Sequence, residues 1–358
     1  MIWRYGIAKG ARHKNHKYQH HIGFTFHIIL PIVNFFLWLF PGISMQETSS
    51  ILVLGSTGLV GSAIIRALKK AGFSNLLTPK RKELDLLSQA QVQEYFAAHK
   101  PEYVIMAAAK VGGIHANNEF RADFIYENLQ VNSNVIHAAY VNKATKLQFL
   151  GSSCIYPKLC PQPIREEYLL SSALEATNEP YAVAKIAGLK LVESYRRQYG
   201  CNFHSVMPTN LYGPGDNFHP TNSHVIPALI QRMDQTVKSK AKEFEIWGTG
   251  TPKREFLHVD DLANACVFLM KYQGDLPYWI NAGFGSDISI KELAAHIGEI
   301  MGFEGRYTFN THRPDGPPQK LMDSTKLFTL GWRPEIKLVE GLRETIDYYL
   351  SSNNIRKV

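Results

Sequence analysis

Residues 51–72 read ILVLGSTGLVGSAIIRALKKAG. Ile51 to Leu54 are apolar without interruption, the pattern of a parallel strand buried on both faces. Glycines follow at 55, 58 and 61, and SAIIRALKKA then repeats apolar side chains at helical spacing until Gly72 stops it. Strand, glycine turn and helix in that order predict a dinucleotide site. The glycines permit a tight turn and close approach of backbone to a diphosphate, and the helix N-terminus offers N–H donors and a positive dipole. The spacing is Gly-x-x-Gly-x-x-Gly, so the flanking strand and helix carry the reading more than the glycines do. A tight turn without a ligand is the alternative.

The strand-helix alternation continues outward. A second strand is predicted at 76–78, followed by Pro79-Lys80-Arg81-Lys82. In such folds an acid about 20 residues past the glycine loop binds the ribose of NAD, whereas a base accommodates the 2′-phosphate of NADP. Three bases favour NADP, with Arg81 the best single candidate and Asp85 within reach of the adenine amino group; a solvated turn is the competing reading. Glu102–Ala109 (EYVIMAAA) reads as a third buried strand whose small terminal residues leave room for a cofactor. Phe120–Val141 has a helical pattern, in which Asn128, Asn132 and Asn134 read as helix-surface or packing groups. Lys146–Leu150 is a fourth strand, running into Gly151-Ser152-Ser153-Cys154-Ile155-Tyr156-Pro157, and Ser205–Tyr212 (SVMPTNLY) reads as a strand and then a loop. Alternation of this kind predicts an α/β fold, a doubly wound parallel Rossmann-type sheet, with ligands at the strand C-termini.

Asn178–Lys190 (NEPYAVAKIAGLK) places Tyr181 and Lys185 four apart in a helix-favouring run, hence on one helical face. A free phenol, with a pKa of about 10, is a weak acid at neutral pH. A nearby ammonium favours phenolate and makes tyrosine a usable proton donor to a carbonyl. In a chain with 17 tyrosines the pair alone is a weak signal. A hydroxyl at the end of the fourth strand completes a Ser/Tyr/Lys set, and the joint pattern is strong.

With these residues in view the chain resembles the extended short-chain dehydrogenase/reductase family over about residues 50–350. GSSCIYPK, NEPYAVAKIAG and SVMPTNLYGPGDNFHPTNSHVIPALI are similar to the branch that turns GDP-4-keto-6-deoxy-D-mannose into GDP-L-fucose, by C3/C5 epimerisation and then C4 reduction. The resemblance implies NADP, a homodimer formed through helices of the larger domain, and a catalytic set of Ser152, Cys154, Tyr181, Lys185 and His224, with Ser153 the alternative serine. Cys154 would be the epimerase base and His224 its acid; both types of group can titrate near neutrality. Read without the family, Cys154 is a small buried hydrophobe and His224 a helix N-terminal residue.

The resemblance also implies cofactor contacts from Gly55, Ser56, Thr57, Gly58, Leu59, Val60, Gly61, Arg81, Asp85, Lys185, Pro208, Thr209, Asn210, Leu211 and His224. It implies substrate contacts from Arg232, Trp247, Arg254, Asp315 and Lys320. Arginine suits a diphosphate because its planar fork donates two parallel hydrogen bonds. Core packing for Trp247 and an ion pair for Arg254 are the bland readings. Bacterial members of the branch carry a basic residue in the glycine loop, where this chain has Ser56-Thr57. A 4-epimerase, a 4,6-dehydratase and a non-catalytic NADP-binding sensor are the competing functions.

Composition bounds the rest. At 358 residues, 45% hydrophobic and 20% charged, the chain is an ordinary globular composition with room for one or two domains. The net charge is +8, but Arg4, Lys9, Arg12, Lys14 and Lys17 stand in residues 1–44, which hold no acid, so the remainder carries only +3. That excludes the concentrated basic surface of a nucleic-acid binder. Four cysteines without paired spacing indicate neither a disulfide scaffold nor a zinc site and fit a reducing compartment, the cytoplasm. Three domains are expected: an extension at 1–48, a mainly NADP-binding domain at 49–222, and a smaller, partly interleaved α/β substrate domain at 223–350. The extension carries the apolar run 22–43, interrupted by His27, Pro31, Asn34 and Pro41. It reads as a membrane anchor, a cleaved signal, or a segment outside a functional protein that starts at Met45. A membrane is expected as a partner only if that run is retained.

Overall fold

The structure, a computed structural model, describes residues 45–219, 223–313 and 315–351. The apolar run 22–43 lies outside the described residues. The order is β1 (Ile51–Leu54), α1 (Leu59–Lys70), β2 (Leu76–Leu77), α2 (Gln89–His99), β3 (Tyr103–Met106), α3 (Ile114–Glu119), α4 (Arg121–Val141), β4 (Lys146–Leu150), α5 (Glu179–Tyr199), β5 (Phe203–Pro208) and β6 (Asn210–Tyr212). Then come α6 (Val225–Lys238), β7 (Glu243–Trp247), β8 (Lys253–His258), α7 (Val259–Lys271), β9 (Trp279–Ala282), β10 (Asp287–Ser289), α8 (Ile290–Ile300), β11 (Arg306–Asn310), β12 (Gln319–Lys320), α9 (Thr325–Thr329) and α10 (Leu338–Ser351).

Six strands form one sheet in the order β2-β1-β3-β4-β5-β9, every neighbouring pair parallel. Alternate side chains leave a strand on opposite faces, and the two cores divide accordingly. Ile51, Val53, Tyr103 and Ile105 pack with α1 and α7, whereas Leu52, Leu54, Val104 and Met106 pack with α2, α4 and α5. The sheet is therefore doubly wound, as expected. The chain leaves β1 toward β2 on one side and returns to β3 on the other, so a crevice opens at the C-terminal ends of β1 and β3.

A third core, built on Ile226, Leu229, Ile230, Phe244, Ile246, Leu293 and Ile297, joins α6, β7 and α8. Beside it, β8 pairs antiparallel with β10 and parallel with β12 and β6. The segment after residue 222 is not self-contained, because α7 and β9 return to the large sheet. The segment 205–212, read as a strand and a loop, is two strands: β5 belongs to the large sheet and β6 crosses to β8. Among the described residues no helix is long and apolar enough to cross a membrane.

Candidate active site

The glycine turn sits where β1 delivers it, at the start of α1. A Cβ on Gly61 would lie 2.1 Å from the Gly55 carbonyl oxygen, so only glycine lets the helix close onto the loop. No side chain caps α1 and no acid lies in its first turn. Its N–H groups and positive dipole end are thus left for an anion. The Ser56 hydroxyl approaches the carbonyls of Thr78 and Pro79 at 3.4 and 3.5 Å, which brings the basic turn beside the glycine loop. Arg81 is exposed there and makes no ion pair among the described residues. Asp85 is half-buried and accepts a hydrogen bond from the Leu87 N–H at 3.1 Å. Ala107 and Ala108, at the end of β3, are partly open to the crevice.

The chemistry collects at the end of β4. Ser152 accepts the Cys154 N–H at 3.2 Å and hydrogen-bonds the Tyr181 phenol. Lys185 is 3% exposed and donates to the Leu150 carbonyl at 2.7 Å, its ammonium 5.8 Å from the centre of the Tyr181 ring. Two residues outside the predicted catalytic set fix how α5 sits on its neighbours. A Cβ on Gly188 would meet Phe149 at 2.5 Å, so glycine lets α5 rest directly on β4. Asn132, 1% exposed, donates to the Ala184 carbonyl at 2.9 Å and fixes α5 along α4. Its place as a packing group was legible, but its helix-to-helix bond was not. Asn128 likewise brackets the Lys110 backbone from β3's end, at 3.0 Å in both directions.

One electrostatic expectation is corrected. Burial, then the negative charge available to Cys154, pushes the Tyr181 phenol well up, with the Ser152 hydrogen bond opposing. Burial pushes Lys185 down to about 7. The ammonium does not lower the phenol here, because the pocket that brings the two together also strips water from both.

Cys154 stands in a short 3-10 turn, half-buried, with the Lys320 ammonium 3.9 Å from its sulfur. The thiol is thus neither a fully buried hydrophobe nor remote from charge. His224 caps the start of α6 with its backbone while its side chain makes no cap. The imidazole is open to solvent, yet the surrounding walls, and next the Lys320 charge, push its pKa below the ordinary 6.5. Pro208 ends β5; Thr209 is buried, and Asn210 donates to the Glu255 carbonyl at 2.9 Å, carrying the chain from the large sheet to Leu211 in β6.

The remaining predicted residues form a separate group around β7 and β8. The Arg232 and Arg313 guanidiniums lie 4.7 and 4.9 Å from the centre of the Trp247 ring, which is 46% exposed. Trp247 is therefore not core. Arg313 carried no expectation from the sequence, though Asp315 two residues on did. Arg254 is half-buried, and no carboxylate pairs with it within 4 Å among the described residues. Asp315 accepts both the N–H and the hydroxyl of Thr249, at 2.7 and 2.8 Å, so its carboxylate is engaged in closing the Gly248–Thr251 turn.

A doubly wound sheet with a glycine cradle at its switch point and a Ser/Tyr/Lys set at a strand end defines a dinucleotide-dependent oxidoreductase class. The chain belongs to the NAD dependent epimerase/dehydratase family, whose model matches residues 51–283. Among characterised relatives it is 56% identical to GDP-L-fucose synthase 1 of Arabidopsis thaliana over 310 residues, covering 86% of this chain and 96% of that one. It is 51% identical to GDP-L-fucose synthase of Escherichia coli (strain K12), covering 85% and 97%. The solved structure of a GDP-L-fucose synthetase from Naegleria fowleri bound to NADP is 28% identical, with a TM-score of 0.80 over 88% of this chain and 98% of that one.

Proposed function

We propose that the chain converts GDP-4-keto-6-deoxy-D-mannose to GDP-L-fucose, inverting C3 and C5 and then reducing the C4 ketone with NADPH. The observation that carries this reading is a thiol and its ammonium neighbour, Cys154 and Lys320, in the cleft of the Ser152/Tyr181/Lys185 set. A plain reductase needs only the latter set. Likeness to the synthases above, along most of the chain, supports the same substrate.

The residues present fit NADP. The Gly55–Gly61 turn and the uncapped α1 receive a diphosphate. Arg81 suits a 2′-phosphate, Asp85 the adenine amino group, Lys185 a ribose, and the Pro208–Leu211 backbone and His224 the nicotinamide end. When bound, this cofactor supplies the two electrons and hydrogen that reduce C4.

In the first stage Cys154, as thiolate, takes the proton from the carbon beside the ketone. The C–H bond breaks, an S–H bond forms, and the electron pair moves onto the carbonyl oxygen. His224, in its protonated form, delivers a proton to the opposite face of that carbon and is left as the neutral imidazole. Ser152 holds the C4 oxygen throughout. In the second stage Tyr181 gives its proton to that oxygen as the alcohol forms, and Lys185 holds the cofactor's ribose. Arg232, Trp247, Arg254 and Arg313 hold the nucleotide end, with Asp315 shaping the turn beside them.

The active form we propose is a homodimer through α4 and α5, whose outer faces expose Tyr126, Val141, Val183 and Tyr199. Sedimentation of the wild type against Tyr126→Glu tests it, and equal monomer content in both would reject it. Four free cysteines suit the cytoplasm. For the reaction, purified protein is given NADPH and the keto sugar in deuterated water. NADPH consumption with a fucose-configured, C3/C5-deuterated product is expected, and Cys154→Ser stops the deuterium uptake. Reduction without inversion would remove the roles of Cys154 and His224.

A further inference from the structure

We infer that Lys320 is the charge partner of Cys154, holding the thiolate in place before substrate arrives, and so is a further residue of the epimerisation machinery. This rests on the reading of Cys154 as base.

The 3.9 Å contact between the Lys320 nitrogen and the Cys154 sulfur is built from both sides. On one side β12 pairs with β8, setting Lys320 beside Arg254. On the other, the chain just past Lys320 is bonded to the loop that continues from Cys154. The Leu321 N–H donates to the Gln162 side chain at 2.8 Å, and its carbonyl accepts the Ile164 N–H at 2.7 Å. The Asp323 N–H closes the ladder onto the Ile164 carbonyl at 2.8 Å. Glu255 is fully buried and anchors the same strand from below: its carboxylate accepts the N–H of Met322 at 3.0 Å and of Gly285 at 2.7 Å. These bonds fix the backbone on either side of Lys320 beside the loop that carries Cys154.

Among the described residues no carboxylate lies within 4.0 Å of the Lys320 ammonium. Among the described residues the titratable and charged groups facing this point are Cys154 and Cys160 on the loop, Tyr181 on α5, His224 at the start of α6 and Arg254, the register partner on β8. Of the two cations, the Lys320 ammonium is the one that contacts the Cys154 sulfur. An opposite charge within about 4–6 Å favours the ionised form of its neighbour, and the thiolate is the reactive form. Lys320 acts on the free enzyme, before any sugar is bound, which separates this role from a substrate contact.

The test is alkylation of Cys154 by iodoacetamide in substrate-free, full-length protein, read by mass spectrometry between about pH 6 and 9. Lys320→Gln is expected to slow labelling roughly tenfold near neutrality. Lys320→Arg, which keeps the charge, restores most of the rate. Wild-type labelling in Lys320→Gln across the range would overturn the inference. Should that variant fail to fold, the wild type still decides. An ammonium beside the sulfur favours anionic iodoacetate over neutral iodoacetamide relative to a free small thiol, and salt erases the preference. Absence of that preference overturns the inference equally. NADPH turnover with the keto sugar is measured in parallel; its failure would count against the proposed reaction and leave the labelling result standing.

Discussion

The ε-amino group of Lys185 reaches the carbonyl of Leu150 at 2.7 Å, joining the second turn of α5 to the last residue of β4. Burial at 3% exposure makes this nitrogen easier to deprotonate, at about 7 instead of 10.5. Between those values the unfolded chain binds the proton and the folded chain does not. Stability from this group therefore rises with pH from about 7 to 10.5, by up to about 1.4 kcal/mol per unit, and is flat below. Urea unfolding of the cofactor-free wild type and of Lys185→Met at pH about 7 and 9 checks it. The wild type gains more than the variant, while groups common to both cancel. Equal gains would count against it.

Gly61→Ala places a methyl 2.1 Å from the Gly55 carbonyl, and both partners are backbone. Neither can move without opening the turn that receives the diphosphate. A loss of about 1–3 kcal/mol in stability is expected, with NADPH affinity reduced at least tenfold. Calorimetry of unfolding and fluorescence titration with NADPH measure the two. Unchanged cofactor affinity would mean that the cradle is not where the cofactor lies.

Lys146 is buried at 3% exposure and donates to the carbonyls of Leu269, Met270 and Tyr272 at 2.7, 3.2 and 2.8 Å. It satisfies the end of α7 far from the site chemistry. Lys146→Met removes all three bonds, leaving the Leu269 carbonyl only the Tyr272 N–H at 3.3 Å, and is expected to cost about 2–3 kcal/mol. Below the melting range, kcat should stay near wild type. A large fall in kcat in folded protein would contradict a purely structural role.

Trp247 holds two guanidiniums within 5 Å of its ring centre, at 4.7 Å for Arg232 and 4.9 Å for Arg313. Cation–π contacts of this kind are worth about 0.5–1 kcal/mol each when exposed. Trp247→Ala should raise KM for the nucleotide sugar about tenfold or more, with KM for NADPH unchanged. A parallel rise in both would indicate a general loss of structure instead.

The walls around His224, and then the Lys320 charge, push its imidazole below the ordinary 6.5. Carbethoxylation of His224, which needs the neutral ring, should be half-maximal below pH 6.5 in the wild type. In Lys320→Gln the midpoint moves up, because one of the two causes is removed. A midpoint above 6.5 in the wild type would reverse the assignment.

Much of the large sheet was legible in the chain. β4 falls at Lys146–Leu150 as expected, and β3 and α4 lie within the expected segments, with the strand trimmed to Tyr103–Met106. The Tyr181/Lys185 spacing also placed both side chains on one helix. These features are local: a period of two or of 3.6, a helix stop, a glycine turn. The reading of 205–212 fell short because a strand leaving one sheet for another has no signature in its own residues.

What the sequence determined by itself was the order of strands and helices in the first half, the glycine turn and the candidate Ser/Tyr/Lys set. Backbone preference and hydrophobic period act over neighbours, so they can be read from neighbours. The tertiary structure alone decided which distant residues meet. It brought Lys320 to Cys154 across 166 positions, set two arginines on Trp247, and turned Asp315 toward Thr249. It also reversed the sign expected for Tyr181, because burial is a property of the packed molecule and not of the Tyr-x-x-x-Lys spacing. Charge and solvent exposure at the site depend on chain segments that only packing brings together.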